Sequence, residues 1–381
     1  MNRLFLDFAS TTPVHPEVIS VIESAFKNLP GNPSSIHDDG RKARFAIEDA
    51  RERVASLLGK QPSEIVFTAS ATESINTVLK SWFFHHLPAK STYYSSPAEH
   101  HATLLTLEYL ESKGVEFHQI QPDQSGIVHP FQPEQGSLVS LMAVNNELGS
   151  ILPSATIQSV LNSGASLHID AVQALGKIDL STFMDADFLS FSGHKFYGPR
   201  GVGLLVVKSG SDLEPLLHGG AQERNRRSGT EPTALILGFA KALELALATQ
   251  ETTFNQALKL NNYLRKNLKS IVPEVQFNSQ DDGSPFILNF TLSSDPKEQI
   301  DSEAVIMGLD AKGISVSSGS ACSSGSWEPS HVLKAIGKSD YEAQTTLRVS
   351  FGHGITETDL DRFTETLDGI LKKMKLALTL L

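Results

Sequence analysis

Apolar residues recur along this chain with two periods, and the switches between them predict its elements. Positions 41–58 follow a helical period, with Ala43, Ala46, Ile47, Ala50 and Val54 on one side and Gly59 closing the helix. Positions 64–68 read as a strand, and a helix pattern starts at Thr72. Short apolar runs follow at 92–95, 115–119, 138–143, 167–169, 188–191 and 202–207, with helical stretches such as 103–112 and 156–161 between several of them. Strands alternating with helices predict an α/β fold, a mainly parallel sheet covered by helices. Positions 234–263 are strongly helical. From about 271 the pattern reads strand, strand, helix, strand, helix, strand, helix, with strands at 286–292, 315–317 and 346–351 and a closing helix at 356–378. That order predicts a smaller α+β unit. No internal repeat is visible.

Composition narrows the function classes. The chain has 381 residues, 40% of them hydrophobic, enough apolar surface to offset chain entropy. Lys+Arg 32 against Asp+Glu 43 gives a net charge of −11, which argues against a nucleic-acid binder. The single cysteine, Cys322, excludes an intrachain disulfide and a four-cysteine zinc site, and fits a reducing compartment. Asp7 interrupts the apolar start Leu4-Phe5-Leu6, so no signal-peptide core is present. The apolar tract at 234–248 contains Lys241 and Glu244 and reads as a buried amphipathic helix, not a membrane span. The expected location is cytoplasmic. His85 and His86 lack a second ligand pair at zinc spacing, so no metal site is expected.

Four segments could carry chemistry. Ser70 and Glu73 have capping-box spacing between a strand and a helix; the segment is either an ordinary capped helix or an anion site at a helix N-terminus. Asp170 ends an apolar strand, where a carboxylate serves either as a helix cap or as the partner of a cationic ring nitrogen. Lys195 follows another strand, in Ser192-Gly193-His194-Lys195. It is either a surface lysine or, if enclosed, an amine made nucleophilic by lost solvation. An aspartate for a pyridine nitrogen and a lysine for an aldehyde are the pair that pyridoxal 5'-phosphate (PLP) requires. Finally, Ser or Gly fill nine of the twelve positions 315–326 around Cys322, a composition that predicts mobility. That thiol is either incidental or a nucleophile able to visit a site and then a partner. Glu99-His100-His101 could supply a ring-stacking or acid–base histidine, or a structural one. Arg224, Arg226 and Arg227 read as a solvated basic cluster.

In this order the motifs resemble the cysteine desulfurases, PLP enzymes of the class V aminotransferase group. The resemblance runs from Leu6-Asp7-Phe8-Ala9-Ser10-Thr11-Thr12-Pro13 to about Gly352. It includes Gly31-Asn32-Pro33-Ser34-Ser35-Ile36-His37, Ala71-Thr72-Glu73-Ser74, Val144-Asn145-Asn146-Glu147-Leu148-Gly149, Ser192-Gly193-His194-Lys195 and Arg227-Ser228-Gly229-Thr230. The stretch from Ser317 through Cys322 to His331 resembles the long-loop branch. The resemblance implies a fold-type-I PLP transferase. Residues 15–255 would form the large domain, with a mainly parallel seven-stranded sheet, and residues 1–14 and 256–381 the small α+β domain.

It also implies roles. Lys195 would form the Schiff base with PLP, Asp170 would hold the pyridine nitrogen, and His100 would stack on the ring and move protons. Gln173 and Asn145 would orient the ring. Ala71, Thr72, Ser192 and His194 would bind the phosphate. Thr230 would reach the phosphate of a neighbouring subunit in a homodimer. Arg348, with Asn145, would bind the carboxylate of the substrate, L-cysteine. Cys322 would take the sulfur as a persulfide, leaving L-alanine, and pass it to an acceptor protein such as an iron–sulfur scaffold. Ser70, Trp327 and His353 stand where the family pattern commonly has Gly, Leu and Arg. The chain stops at Leu381, where some relatives carry a tail that docks the scaffold, so that docking mode is not expected. A selenocysteine lyase or another small-amino-acid PLP enzyme of this fold is the alternative. A non-catalytic sulfur carrier is disfavoured by the presence of Lys195, Asp170 and His100.

Overall fold

The computed structural model describes residues 3–86, 91–318 and 329–379, without the side chains of 375 and 377–379. The strands are β1 (Leu4–Phe5), β2 (Ile65–Thr68), β3 (Thr92–Ser95), β4 (Glu116–Gln119), β5 (Leu138–Met142), β6 (Ser166–Asp170), β7 (Phe188–Ser192), β8 (Gly203–Val207), β9 (Gln276–Phe277), β10 (Ile287–Thr291), β11 (Ile314–Ser315) and β12 (Thr346–Ser350). The helices are α1 (Pro16–Asn28), α2 (Asp38–Leu57), α3 (Ala71–His85), α4 (His101–Glu111), α5 (Ser154–Ser163), α6 (Thr233–Ile271), α7 (Ser302–Ala311), α8 (His331–Ala335), α9 (Asp340–Gln344) and α10 (Glu357–Thr379).

Seven strands form one sheet in the order β2-β8-β7-β6-β5-β3-β4. β8 runs antiparallel to both β2 and β7, and the remaining pairs are parallel. The carboxyl ends of β2, β3, β5, β6 and β7 therefore share one edge, the edge at which open α/β sheets bind ligands.

The strands are apolar on both faces because both are covered. Ile65, Phe67, Leu189, Phe191, Leu204 and Val206 pack with Ile47, Val54, Ile157 and Phe239 on one side. Their strand neighbours Val66, Phe188, Leu205 and Val207 pack with Ile75, Leu79, Leu107 and Leu110 on the other. Successive residues thus enter different cores, as a two-residue period dictates.

A separate core joins β1, the antiparallel sheet β12-β10-β9, α7 and α10. α6 links the two. Ile236, Phe239 and Leu243 belong to the first core, and Ala257, Leu260, Leu264 and Leu268 to the other. The helix runs to Ile271, past the 263 expected from the helical pattern, because Leu264 and Leu268 extend the apolar stripe. α6 has the length and apolarity of a membrane span, but its apolar residues are spent on these two cores.

The basic cluster that read as solvated is instead clamped. Arg224 donates to the Pro62 carbonyl, Arg226 to that of Ser63, and Arg227 pairs with Glu73 at 2.9 Å. Glu223, Arg224 and Asn225 all have positive φ (46°, 57° and 65°), a strained run for residues with side chains. Buried Glu223 holds it, accepting from Arg51 at 2.7 and 2.8 Å and from the Phe67 amide at 2.9 Å. Glu223→Ala leaves buried Arg51 with only the half-exposed Glu48 as a charge partner, at 3.3 Å, so chemical denaturation should show a loss of about 2–4 kcal/mol. The Arg51→Met/Glu223→Met double variant should lose less. A single-variant loss under about 1 kcal/mol, the value of a surface pair, would contradict the assignment.

Candidate active site

The common strand edge opens into a cavity of about 340 Å³, a size suited to a small cofactor with substrate. Asp170 enters it from the end of β6, and its Oδ1 accepts the Val172 amide at 3.0 Å. Burial raises the Asp170 pKa to about 6, against that hydrogen bond and the Lys195 charge. Lys195 lies one short turn beyond β7. Its Nζ donates to the Ala9 carbonyl at 2.7 Å and the Ser10 carbonyl at 2.8 Å. Burial, then the charge of Arg348, lowers its pKa to about 8, although Asp170 and Asp7 oppose the shift. Carboxylate and amine thus line one pocket, each moved toward neutral pH by loss of water.

The wall beside them is the start of α3. Ser70 caps it, its Oγ accepting the Glu73 amide at 3.3 Å. The reciprocal half of the expected capping box is shifted by one residue: Glu73 accepts the Ala69 amide at 3.0 Å and spends its other oxygen on Arg227. The amides of Ala71 and Thr72 belong to the first turn, where no intrahelical acceptor exists. Both residues line the cavity, as do Ser192 and His194. Gly203 lets the loop approach β8, since a Cβ there would stand 2.6 Å from the Ser70 carbonyl carbon.

His100 caps α4, its Nδ1 accepting the Ala102 amide at 3.0 Å, which places the proton of the neutral ring on Nε2. Part of His100 is open to solvent, and the residue lines the cavity. Surrounding protein, then the charge of Lys195, lowers its pKa to about 4. His100 should therefore stay neutral throughout pH 5–8. In the apoprotein, NMR of its ring protons should show a midpoint below 5, and a midpoint of 6–7 would refute this environment.

Arg348, on β12, closes the far side. It donates to the Asn146 carbonyl at 2.8 Å, to Ser10 Oγ at 2.9 Å and to Asp7 at 3.0 Å.

The structure corrects one expectation. Asn145, expected to face the ring, lies outside this cavity. Its Nδ2 donates to the Ala98 carbonyl at 2.9 Å, and its Oδ1 accepts the amides of Glu147 and Leu148, both at 2.9 Å. Both ends of the amide are committed to backbone. Asn146 lines the cavity in its place, with Oδ1 buried and unpartnered. Two adjacent asparagines give no sequence signal for which one turns inward. Gln173 does line the cavity. Thr230 is exposed and borders a separate cavity with Thr68 and Arg227. His353 stacks on Tyr197 at 4.1 Å. Cys322 and Trp327 lie outside the described residues. Among the described residues no cluster of metal ligands occurs.

The residues present fit PLP. The lysine and aspartate line one cavity, helix amides and hydroxyls form an anion cradle, and the cavity-lining Asn146 and Arg348 each carry a buried polar atom, Oδ1 and Nε, without a partner.

The aminotransferase class-V family model matches residues 4–363. The chain belongs to that family, whose cofactor is PLP. A cysteine desulfurase IscS of Dictyoglomus turgidum is 37% identical, covering 98% of this chain and 96% of the relative. Another, from Methanosarcina thermophila, is 38% identical, covering 98% and 93%. The solved structure of a NifS-like protein superposes with a TM-score of 0.89 at 34% identity, covering 97% of this chain and all of that one. A solved structure described as SspA in complex with cysteine gives 0.78 at 35% identity, covering 91% and 98%. Within its family, the chain is a PLP-dependent enzyme of the cysteine desulfurase type.

Proposed function

We propose that the protein converts L-cysteine to L-alanine and carries the removed sulfur as a persulfide on Cys322. The observation that carries this reading is the convergence of Lys195, Asp170, the α3 N-terminus and Arg348 on one cavity, with Ser317 and Ser330, which flank the cysteine segment in sequence, bonded to residues that line it. Before the cysteine, Ser317 exchanges backbone hydrogen bonds with Arg348, at 3.2 and 2.6 Å. After it, Ser330 donates to Glu147 at 2.6 Å, and His331 lines the cavity and bonds the Glu99 carbonyl at 2.8 Å.

Bound PLP supplies the electron sink that lets a bond at the substrate α-carbon break. The chain supplies the rest. Asp170 balances the charge of the ring nitrogen, the Lys195 amine removes the α-proton, and the Arg348 guanidinium grips the substrate carboxylate. His100, neutral and protonated at Nε2, covers the ring. Ala71, Thr72, Ser192 and His194 hold the phosphate, and Asn146 takes the orienting position first assigned to Asn145. The Cys322 thiolate attacks the substrate sulfur. The sulfur–sulfur bond forms as the carbon–sulfur bond breaks, and the electron pair stays on the carbon skeleton. Thiol plus cysteine gives persulfide plus alanine, with no outside oxidant.

The acceptor we propose is an iron–sulfur scaffold or another sulfur-accepting protein, a reading supported by the IscS relatives. We also propose a homodimer in which Thr230, exposed here, reaches the phosphate of the second copy, a cytoplasmic site of action, and a large domain at 15–255. Mass spectrometry after L-cysteine treatment tests the central step. One added sulfur atom on the Cys322 peptide is expected; alanine formed with that peptide unmodified would refute it.

A further inference from the structure

Behind the cavity, the chain leaves β6 in a tight turn. Ala174 donates to the Ala171 carbonyl and Ile178 to that of Ala174, both at 3.0 Å, which brings Gln173 and Lys177 to one side. Lys177 is buried, and its Nζ donates to Gln173 Oε1 at 2.6 Å. Gln173 Nε2 donates to the Ala9 carbonyl at 2.8 Å. That carbonyl is one of the two that hold the Lys195 amine. A continuous chain of hydrogen bonds therefore joins an amine with no role in the reaction above to the amine that does the chemistry.

The chemistry of the links fixes the glutamine. A primary amide can present a donor or an acceptor to a pocket. Protonated Lys177, facing Oε1, can only donate to it, and the Ala9 carbonyl can only accept. Both constraints select the same orientation. Nε2 then has one N–H on Ala9 and a second for the cavity that Gln173 lines. PLP is rich in acceptor oxygens, so a fixed donor there favours it. The charged groups bearing on Lys177 are Lys195 and Arg348, both cationic; His194 feels its charge in turn, and His353 shares a small neighbouring cavity with it. A buried amine among cations adds no favourable ion pair, and burial is the main cause of its lowered pKa, about 7.

We propose that Lys177 is a positioning residue for PLP, acting by locking the Gln173 amide with its N–H toward the cofactor. In Lys177→Met, Oε1 becomes a buried acceptor without its partner, and the amide turns to find another. This rests on PLP being the cofactor. Failure of the wild-type apoprotein to bind PLP would overturn that reading, separately from the role of Lys177.

The test is a double-mutant cycle on purified apoprotein, titrated with PLP. Lys177→Met should raise the Kd about tenfold, and adding it to Gln173→Leu should cost less than about twofold more. The pH midpoint of the visible absorption of the bound cofactor should shift in Lys177→Met and in Gln173→Leu, with no further shift in the double variant. Lys177→Gln keeps a donor without the charge and should stay within about threefold of wild type. Methionine fills similar volume without charge, so the apoprotein should melt no lower. An unchanged Kd and midpoint in Lys177→Met would overturn the proposal, as would losses that multiply across the cycle. So would a Lys177→Gln variant as weak as Lys177→Met, or a fall in apoprotein melting temperature that parallels the loss of PLP.

Discussion

Lys195→Ala should lower kcat for alanine formation by at least about 10⁴-fold, because one substitution removes both the covalent tether and the proton-moving amine. The surroundings should respond as well. The Lys195 charge helps lower the pKa of His100 and of His194, and helps hold down that of Asp170. Removing it should raise all three in the apoprotein, which NMR titration can follow. The Ala9 and Ser10 carbonyls would lose the donor they share. PLP should still bind through the α3 N-terminus, Ser192 and His194, but should wash out on dialysis, whereas the wild type retains it. A variant that kept turnover within about tenfold of wild type would remove the lysine from the chemistry.

Cys322→Ser should separate the two halves of the reaction. Serine is close in size, but its hydroxyl is far less acidic than a thiol with a pKa of about 8.5, so no useful nucleophile forms at neutral pH. Sulfide release with a reducing acceptor should fall by at least about 10³-fold. PLP binding and the spectral change on adding L-cysteine should persist, because Lys195, Asp170 and Arg348 are untouched. Undiminished sulfide release would end the persulfide role.

Much of the fold was legible because it follows from periodicity. The short apolar runs marked the central strands, with small boundary shifts, and the seven-stranded sheet matched the resemblance. The inward groups Lys195, Asp170, His194 and Arg348 could be placed because each follows or lies on a strand with a recognisable neighbourhood. Other contacts were not legible, since they depend on which way a side chain turns or which distant segment packs there. Asn145 and Asn146 are chemically identical, and only the turn before Gly149 decides which faces the cavity. The Arg51–Glu223 pair spans segments far apart in sequence and fixes a run of positive φ that no residue type there announces. Lys177 is the sharpest case, since a lysine four residues beyond a glutamine reads as surface by composition but is buried.

Catalysis at this site depends most on one bond, between PLP and the Lys195 amine. Borohydride reduction of the purified holoenzyme, followed by peptide mapping, tests it directly. A reduced pyridoxyl adduct is expected on the peptide containing Lys195. An adduct on Lys177, the other buried lysine of lowered pKa, or no adduct at all, would contradict it.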